Sequence, residues 1–93
     1  MIEITQSSGN VFEDLELPDA ENLKLRAQLM IEIEQYIEQH GLTQREAAKR
    51  MHTTQPRIND IVHGRIEKCT IDRLVNMLAA VGHHISLSVD RAA

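Results

Sequence analysis

Gly41-Leu42-Thr43-Gln44-Arg45-Glu46-Ala47-Ala48-Lys49-Arg50-Met51-His52-Thr53-Thr54-Gln55-Pro56-Arg57-Ile58-Asn59-Asp60-Ile61-Val62-His63-Gly64 is the stretch that decides the fold. Thr43 and Glu46 have capping-box spacing: the hydroxyl satisfies the third amide of a new helix, and the glutamate returns a bond to the amide of the cap. The helix that follows is short, with Ala47, Ala48 and Met51 turned inward. After His52 and Thr53 the chain turns, and Thr54 can cap a further helix running from Gln55 to Val62. Pro56 is tolerated there because amides of a first turn need no intrahelical carbonyl, and Gly64 stops the helix. Two helices so closely joined cross only where the contact is small. Ala47 fits that contact, and Ile58 with Ile61 or Val62 holds the second helix to the core. Capped pairs of this kind also occur in plain helical bundles.

On the N-terminal side, Leu25, Leu29, Ile33 and Ile37 recur every four residues, flanked by Met30 and Tyr36, while Glu32, Glu34, Glu38 and Gln39 lie elsewhere. This predicts an amphipathic helix of about 20 residues, capped by Asp19 and stopped at Gly41. On the C-terminal side, Thr70 caps a helix whose Ile71, Leu74, Val75, Leu78 and Val81 form an apolar stripe ending at Gly82. Ile85, Leu87 and Val89 then alternate with His84, Ser86, Ser88 and Asp90, which predicts one strand with one buried face. A lone strand needs a partner for its backbone groups: either Ile2–Thr5 or the same strand of a second subunit. The symmetric partner is favoured here. Residues 1–18 read as an arm whose Val11, Phe12, Leu15 and Leu17 either cover the edge of the core or order on a protein partner. The domain plan is therefore an arm at 1–18, a helical domain at 19–82 and a dimerisation strand at 83–93.

Ninety-three residues with 42% hydrophobic content, one Phe, one Tyr and no Trp predict one small, mainly α domain with an aliphatic core. No apolar run is long enough for a membrane, and the opening MIEITQ lacks the basic start and apolar stretch of a secretory leader, so a cytoplasmic protein is expected. The single Cys69 excludes an intramolecular disulfide and supplies too few thiolates for structural zinc. Its place beside a helix cap is expected to lower its pKa slightly. His40, His52 and His63 lie 12 and 11 residues apart, and the neighbours His83 and His84 are poor joint ligands. Glu32, Glu34 and Glu38 form no organised pair around a pocket. No enzyme activity, metal or cofactor is expected.

The formal charge of −4 is unevenly spread: residues 1–40 hold nine acids against Lys24 and Arg26, a net −7, and 41–93 hold eight bases against five acids, a net +3. The second half carries the basic face, which fits a few placed phosphate contacts better than a broad cationic groove. The helix beginning at Gln55 has the residues of a DNA-reading element, so the pair forms a helix-turn-helix at 43–63. Gln55 lies in the first turn, where an amide can pair with adenine N6 and N7, while Arg57 and Asn59 can reach guanine or phosphate. Gln44, Thr53 and Thr54 suit phosphates, since helix starts present free amides. Arg65, Lys68 and Arg73 suit nonspecific phosphate contacts. Against this, Gln44 and Gln55 are also ordinary first-turn helix formers, and Arg57 is also an ordinary solvated residue. Asp60 either accepts from cytosine N4 or lies back towards Arg57 or His63.

The run from Gly41 to Ala48, with Thr54–Ile61 and Gly64, resembles the XRE/Cro-type helix-turn-helix family. The segments Gly9–Leu15, Leu17–Ala20 and Leu74–Gly82 make the chain, over about residues 9–90, similar to a small subgroup related to HigA-type antitoxins. The resemblance implies a lambda-repressor-like domain of four to five helices with a C-terminal strand paired across a homodimer. It also implies a transcriptional repressor of its own operon that neutralises a RelE/HigB-like ribonuclease toxin. A stand-alone regulator without a toxin, or a helical protein-interaction module, are the alternatives. By the same resemblance Gln44 and Gln55 match glutamines used at the DNA backbone and at the bases, and Thr54 matches a phosphate-facing threonine. Two positions depart from the pattern. Pro56 replaces a polar base reader and leaves van der Waals contact, for instance with a thymine methyl. His52 stands where relatives often have glycine, so it must accept an unusual backbone angle.

Overall fold

The computed structural model describes residues 2–4 and 20–89. The chain order is β1 (Ile2–Ile4), α1 (Ala20–Gln39), α2 (Gln44–Arg50), α3 (Gln55–Val62), a 3-10 turn (Ile66–Lys68), α4 (Ile71–Ala80) and β2 (Ile85–Leu87). The fold is mainly helical with a short C-terminal strand, as the sequence predicts. Asp19, the apolar residues 11–17 and most of the arm at 1–18 lie outside the described residues.

One core joins the four helices. Leu29, Met30 and Ile33 of α1 meet Ala47, Ala48 and Met51, Ile58 and Ile61 of α3, and Leu74, Met77 and Leu78 of α4. Leu25, Ile37, Ile71, Val75 and Val81 complete the predicted stripes as half-buried neighbours of that core. Ala47 is fully buried, as a close crossing of α2 and α3 requires. Met77 is buried as well, although the stripe read from the sequence passes it by.

All four helices close with the same pair of bonds, in which the two residues beyond the cap donate back to carbonyls of the last turn. In α1 these are Gly41 N–H to Glu38 O and Leu42 N–H to Ile37 O. The first of the two residues must be left-handed, and Gly41, Gly64 and Gly82 supply it at three helices. At the fourth, between α2 and α3, His52 holds φ +56°, the angle that its departure from glycine predicts. A left-handed residue with a Cβ costs roughly 1–2 kcal/mol, partly offset by a stiffer unfolded chain. His52→Gly is therefore expected to raise stability by up to about 1 kcal/mol, read as a thermal midpoint several degrees higher.

Within the chain, β2 pairs with the N-terminal segment, one of the two partners open to it. β1 pairs with it in parallel, Ile2 opposite Ile85, Glu3 opposite Ser86 and Ile4 opposite Leu87. The expectation of one buried strand face is corrected: Ile85 packs against the core, but Leu87 and Val89 are 62% and 74% exposed. A strand face is buried only where another layer lies over it, and among the described residues none covers Leu87 and Val89.

Candidate nucleic-acid interface

α3 divides its residues between core and surface. Ile58 and Ile61 are buried to within 1% of full exposure lost, while Gln55, Pro56 and Arg57 are exposed. Thr54 occupies the N-cap in extended conformation but makes no side-chain cap bond, contrary to the capping role read from the sequence. Its hydroxyl and the first-turn amides of α3 are thus left to an outside acceptor. Pro56 sits in that first turn, where it removes no helical bond.

Two grooves flank this ridge. One is lined by Gln44, Gln55, Pro56, Asn59, Asp60 and Arg65. The other is lined by His52, Thr53, Arg57, Thr70, Asp72, Arg73 and Asn76 over Met51 and Met77. The structure thus brings together most of the residues singled out in the sequence, but on two sides: Gln44 and Gln55 on one, Arg57 and Arg73 on the other. Lys68 is exposed and lines neither groove. Thr70, Asp72 and Asn76, on and just before α4, were not singled out for DNA; only the fold brings them to the groove that Arg57 lines.

Three of the expected contacts are engaged within the chain. Arg65 Nη1 donates to Asn59 Oδ1 at 2.9 Å and to Asp60 Oδ1 at 3.1 Å. Asn59 Nδ2 in turn donates to Gln44 Oε1 at 3.3 Å. Asp60 therefore pairs with Arg65, neither with Arg57 nor with His63, whose Nδ1 lies 2.8 Å from Asn59 O. The Thr53 hydroxyl is buried without a partner, and the Thr53 amide donates to Ala48 O at 2.9 Å.

The comparison with protein families falls on this same element and extends well beyond it: the family model described as a helix-turn-helix domain matches residues 11–90. The chain belongs to the helix-turn-helix domain family. It is accordingly a DNA-binding regulator, with α2 and α3 as the two helices of the motif. No curated protein matches it.

The support behind the helix-turn-helix is built from polar contacts as well as packing. At the start of α2 the capping box is complete: Thr43 N–H donates to Glu46 Oε1 at 2.9 Å and Glu46 N–H to Thr43 Oγ1 at 3.1 Å. These bonds, the backbone amide of Thr43 foremost, hold the Glu46 carboxyl below its ordinary 4.5. A carboxyl depressed on folding stabilises the protein above its unfolded pKa, and the contribution disappears as pH falls through the lower folded value. The stability advantage of the protein over its Glu46→Gln variant is thus expected to hold above pH 4.5 and to shrink on further acidification, as followed by urea midpoints across that range.

Behind α3, Arg26 of α1 donates through Nη1 to Ile66 O at 3.0 Å and Cys69 O at 3.2 Å, pinning the 3-10 turn that follows α3. Cys69 itself is buried, and burial pushes its thiol up from the ordinary value, with the nearby Asp60 charge acting the same way. This reverses the expectation of a slightly lowered pKa. Among the described residues no three His, Cys, Asp or Glu side chains are grouped to hold a metal, and no helix is long and apolar enough to cross a membrane.

Proposed function

We propose that this chain is a sequence-specific repressor of XRE/Cro type that binds double-stranded DNA as a homodimer, represses its own operon and neutralises a RelE/HigB-like ribonuclease toxin. The observation that carries the reading is the division of α3, with Ile58 and Ile61 sunk in the core and Gln55, Pro56 and Arg57 standing outside between two grooves. In this reading Gln55 pairs with a base edge, Arg57 reaches guanine or phosphate, and Pro56 makes van der Waals contact. Gln44, Thr54, Lys68 and Arg73 meet phosphates, the first two beside the starts of α2 and α3. A mobility-shift titration of the DNA upstream of its own gene against scrambled competitor, at stated salt, tests it. Preference for the upstream DNA by a factor of ten or more is expected; equal affinity for both ends the case for specific repression.

Dimerisation is supported by what β2 leaves open. Among the described residues its sheet has two strands only, and Leu87 and Val89 stand exposed beside Ile85. A second copy laid against this end of the chain would cover those side chains. Replacing both Leu87 and Val89 by Asp is expected to shift the mass in light scattering from dimer towards monomer and to weaken operator binding, because two joined half-sites act as one multivalent contact. An unaltered dimer would put the interface elsewhere. The toxin is supported by the net −7 of residues 1–40, which complements a small basic protein. Co-purification with the product of the adjacent gene, and relief of its ribonuclease activity, test that part.

A further inference from the structure

The side-chain chain from Arg65 through Asn59 to Gln44 has a direction. A guanidinium only donates, so the Asn59 atom facing Arg65 at 2.9 Å must be the amide oxygen. That places the Asn59 NH2 towards Gln44, so the Gln44 atom that meets it at 3.3 Å must be an oxygen too. Gln44 is left with its NH2 as the end available to an outside group. Phosphate oxygens only accept, and an amide that offered its oxygen instead would repel them. The Asp60 carboxylate, 3.1 Å from the same Nη1, anchors the guanidinium at the head of the series.

We infer that Arg65 is a positioning residue for DNA binding: acting through Asn59, it fixes the Gln44 amide with its donor end outward, towards a phosphate, and does not itself bind that phosphate. The inference rests on the proposed DNA-binding reading and deepens it by assigning Arg65 and Asn59 to the orientation of a contact, where residue type alone would make them contacts. A charge is thereby used without being displayed. This predicts that loss of Arg65 weakens binding without altering its salt dependence, because the group that touches the phosphate is neutral. A directly bound arginine would release about one counterion, worth a slope change of roughly 0.9 in log K against log salt.

The test uses the full chain and the duplex that it enriches from a random-sequence pool. Gln44→Ala, Asn59→Ala and the charge-neutral pair Asp60→Asn with Arg65→Met are each expected to lose about ten-fold in affinity, the scale of one hydrogen bond to a charged group. Combining any of them with Gln44→Ala should cost no more than Gln44→Ala alone, and the salt slope should stay unchanged throughout. Multiplying losses, or a slope that falls by about one with the Arg65 variant, would overturn the inference. Asn59→Ala keeps the Arg65–Asp60 pair and serves if the paired variant fails to fold. A readout without DNA separates this inference from the reading beneath it: in the free protein, amide NMR should show the Asn59 NH2 protected from exchange, with that protection lost in the Arg65 variant. An unprotected Asn59 NH2 ends the inference even where DNA binds. Protection together with no enriched duplex upholds the orientation of the amides and ends the DNA-binding reading with its phosphate contact.

Discussion

Ile58→Ala is expected to destabilise the domain by about 2–5 kcal/mol, the range for truncating a fully buried branched aliphatic side chain. Ile58 is 0% exposed and belongs to the same core as Ala47, Met51 and Leu78. Its loss opens a cavity at the inner face of α3, an eight-residue helix too short to persist without tertiary packing. Domains of this kind are stable by only about 5–15 kcal/mol in all, so the variant gives up a large share of the total. Urea unfolding followed by circular dichroism should show a markedly lower midpoint with a similar slope. DNA binding should fall with the folded fraction and recover on cooling or in a stabilising osmolyte. A variant as stable as the parent would mean that α3 is not held to the core through Ile58, and the ridge between the two grooves would lose its foundation.

What the sequence made legible follows the distance over which each interaction acts. The capping box of Thr43 and Glu46 spans three residues and could be read directly. So could the ends of α1, α3 and α4 at Gly41, Gly64 and Gly82, and the helical stripes, because each depends on local geometry or on a period of 3.6. The small Ala47 marked the crossing of α2 on α3 for a steric reason that needs no coordinates. The misses are longer in range. Arg26 finds its carbonyl partners 40 and 43 residues away, and β1, offered by the sequence only as one of two partners, reaches β2 across the whole helical domain. No local pattern encodes either. Asn59, Asp60 and Arg65 are near neighbours in sequence, but their roles depend on Gln44, 15 residues before Asn59, being brought alongside by the turn. Residue type pointed to DNA for Gln44, Asn59 and Arg65, and left Asp60 between a base and Arg57 or His63. Alternation in β2 announced two unlike faces, yet exposure of Leu87 and Val89 depends on how much of the molecule lies over them.

Gln55→Ala and Arg57→Ala are each expected to weaken operator binding by about 1–3 kcal/mol, roughly five- to more than 100-fold, if each side chain makes a base-edge contact. Both residues are exposed on α3, and neither side chain is tied to the rest of the chain by a hydrogen bond or ion pair, so the stability should change by no more than about 0.5 kcal/mol. The two variants should differ in kind. Gln55 is neutral, so its loss should relax discrimination at one base pair and leave the salt slope as it was. Arg57 is charged and lies on the other groove with Arg73. Contact with guanine through Arg57 predicts relaxed discrimination at a second base pair; contact with phosphate predicts a uniform loss across sequences and a slope reduced by about 0.9. Because the two residues face opposite grooves, well apart in function, their losses should add when combined. Unchanged affinity in the double variant, with the fold intact, would show that DNA meets another face of the protein.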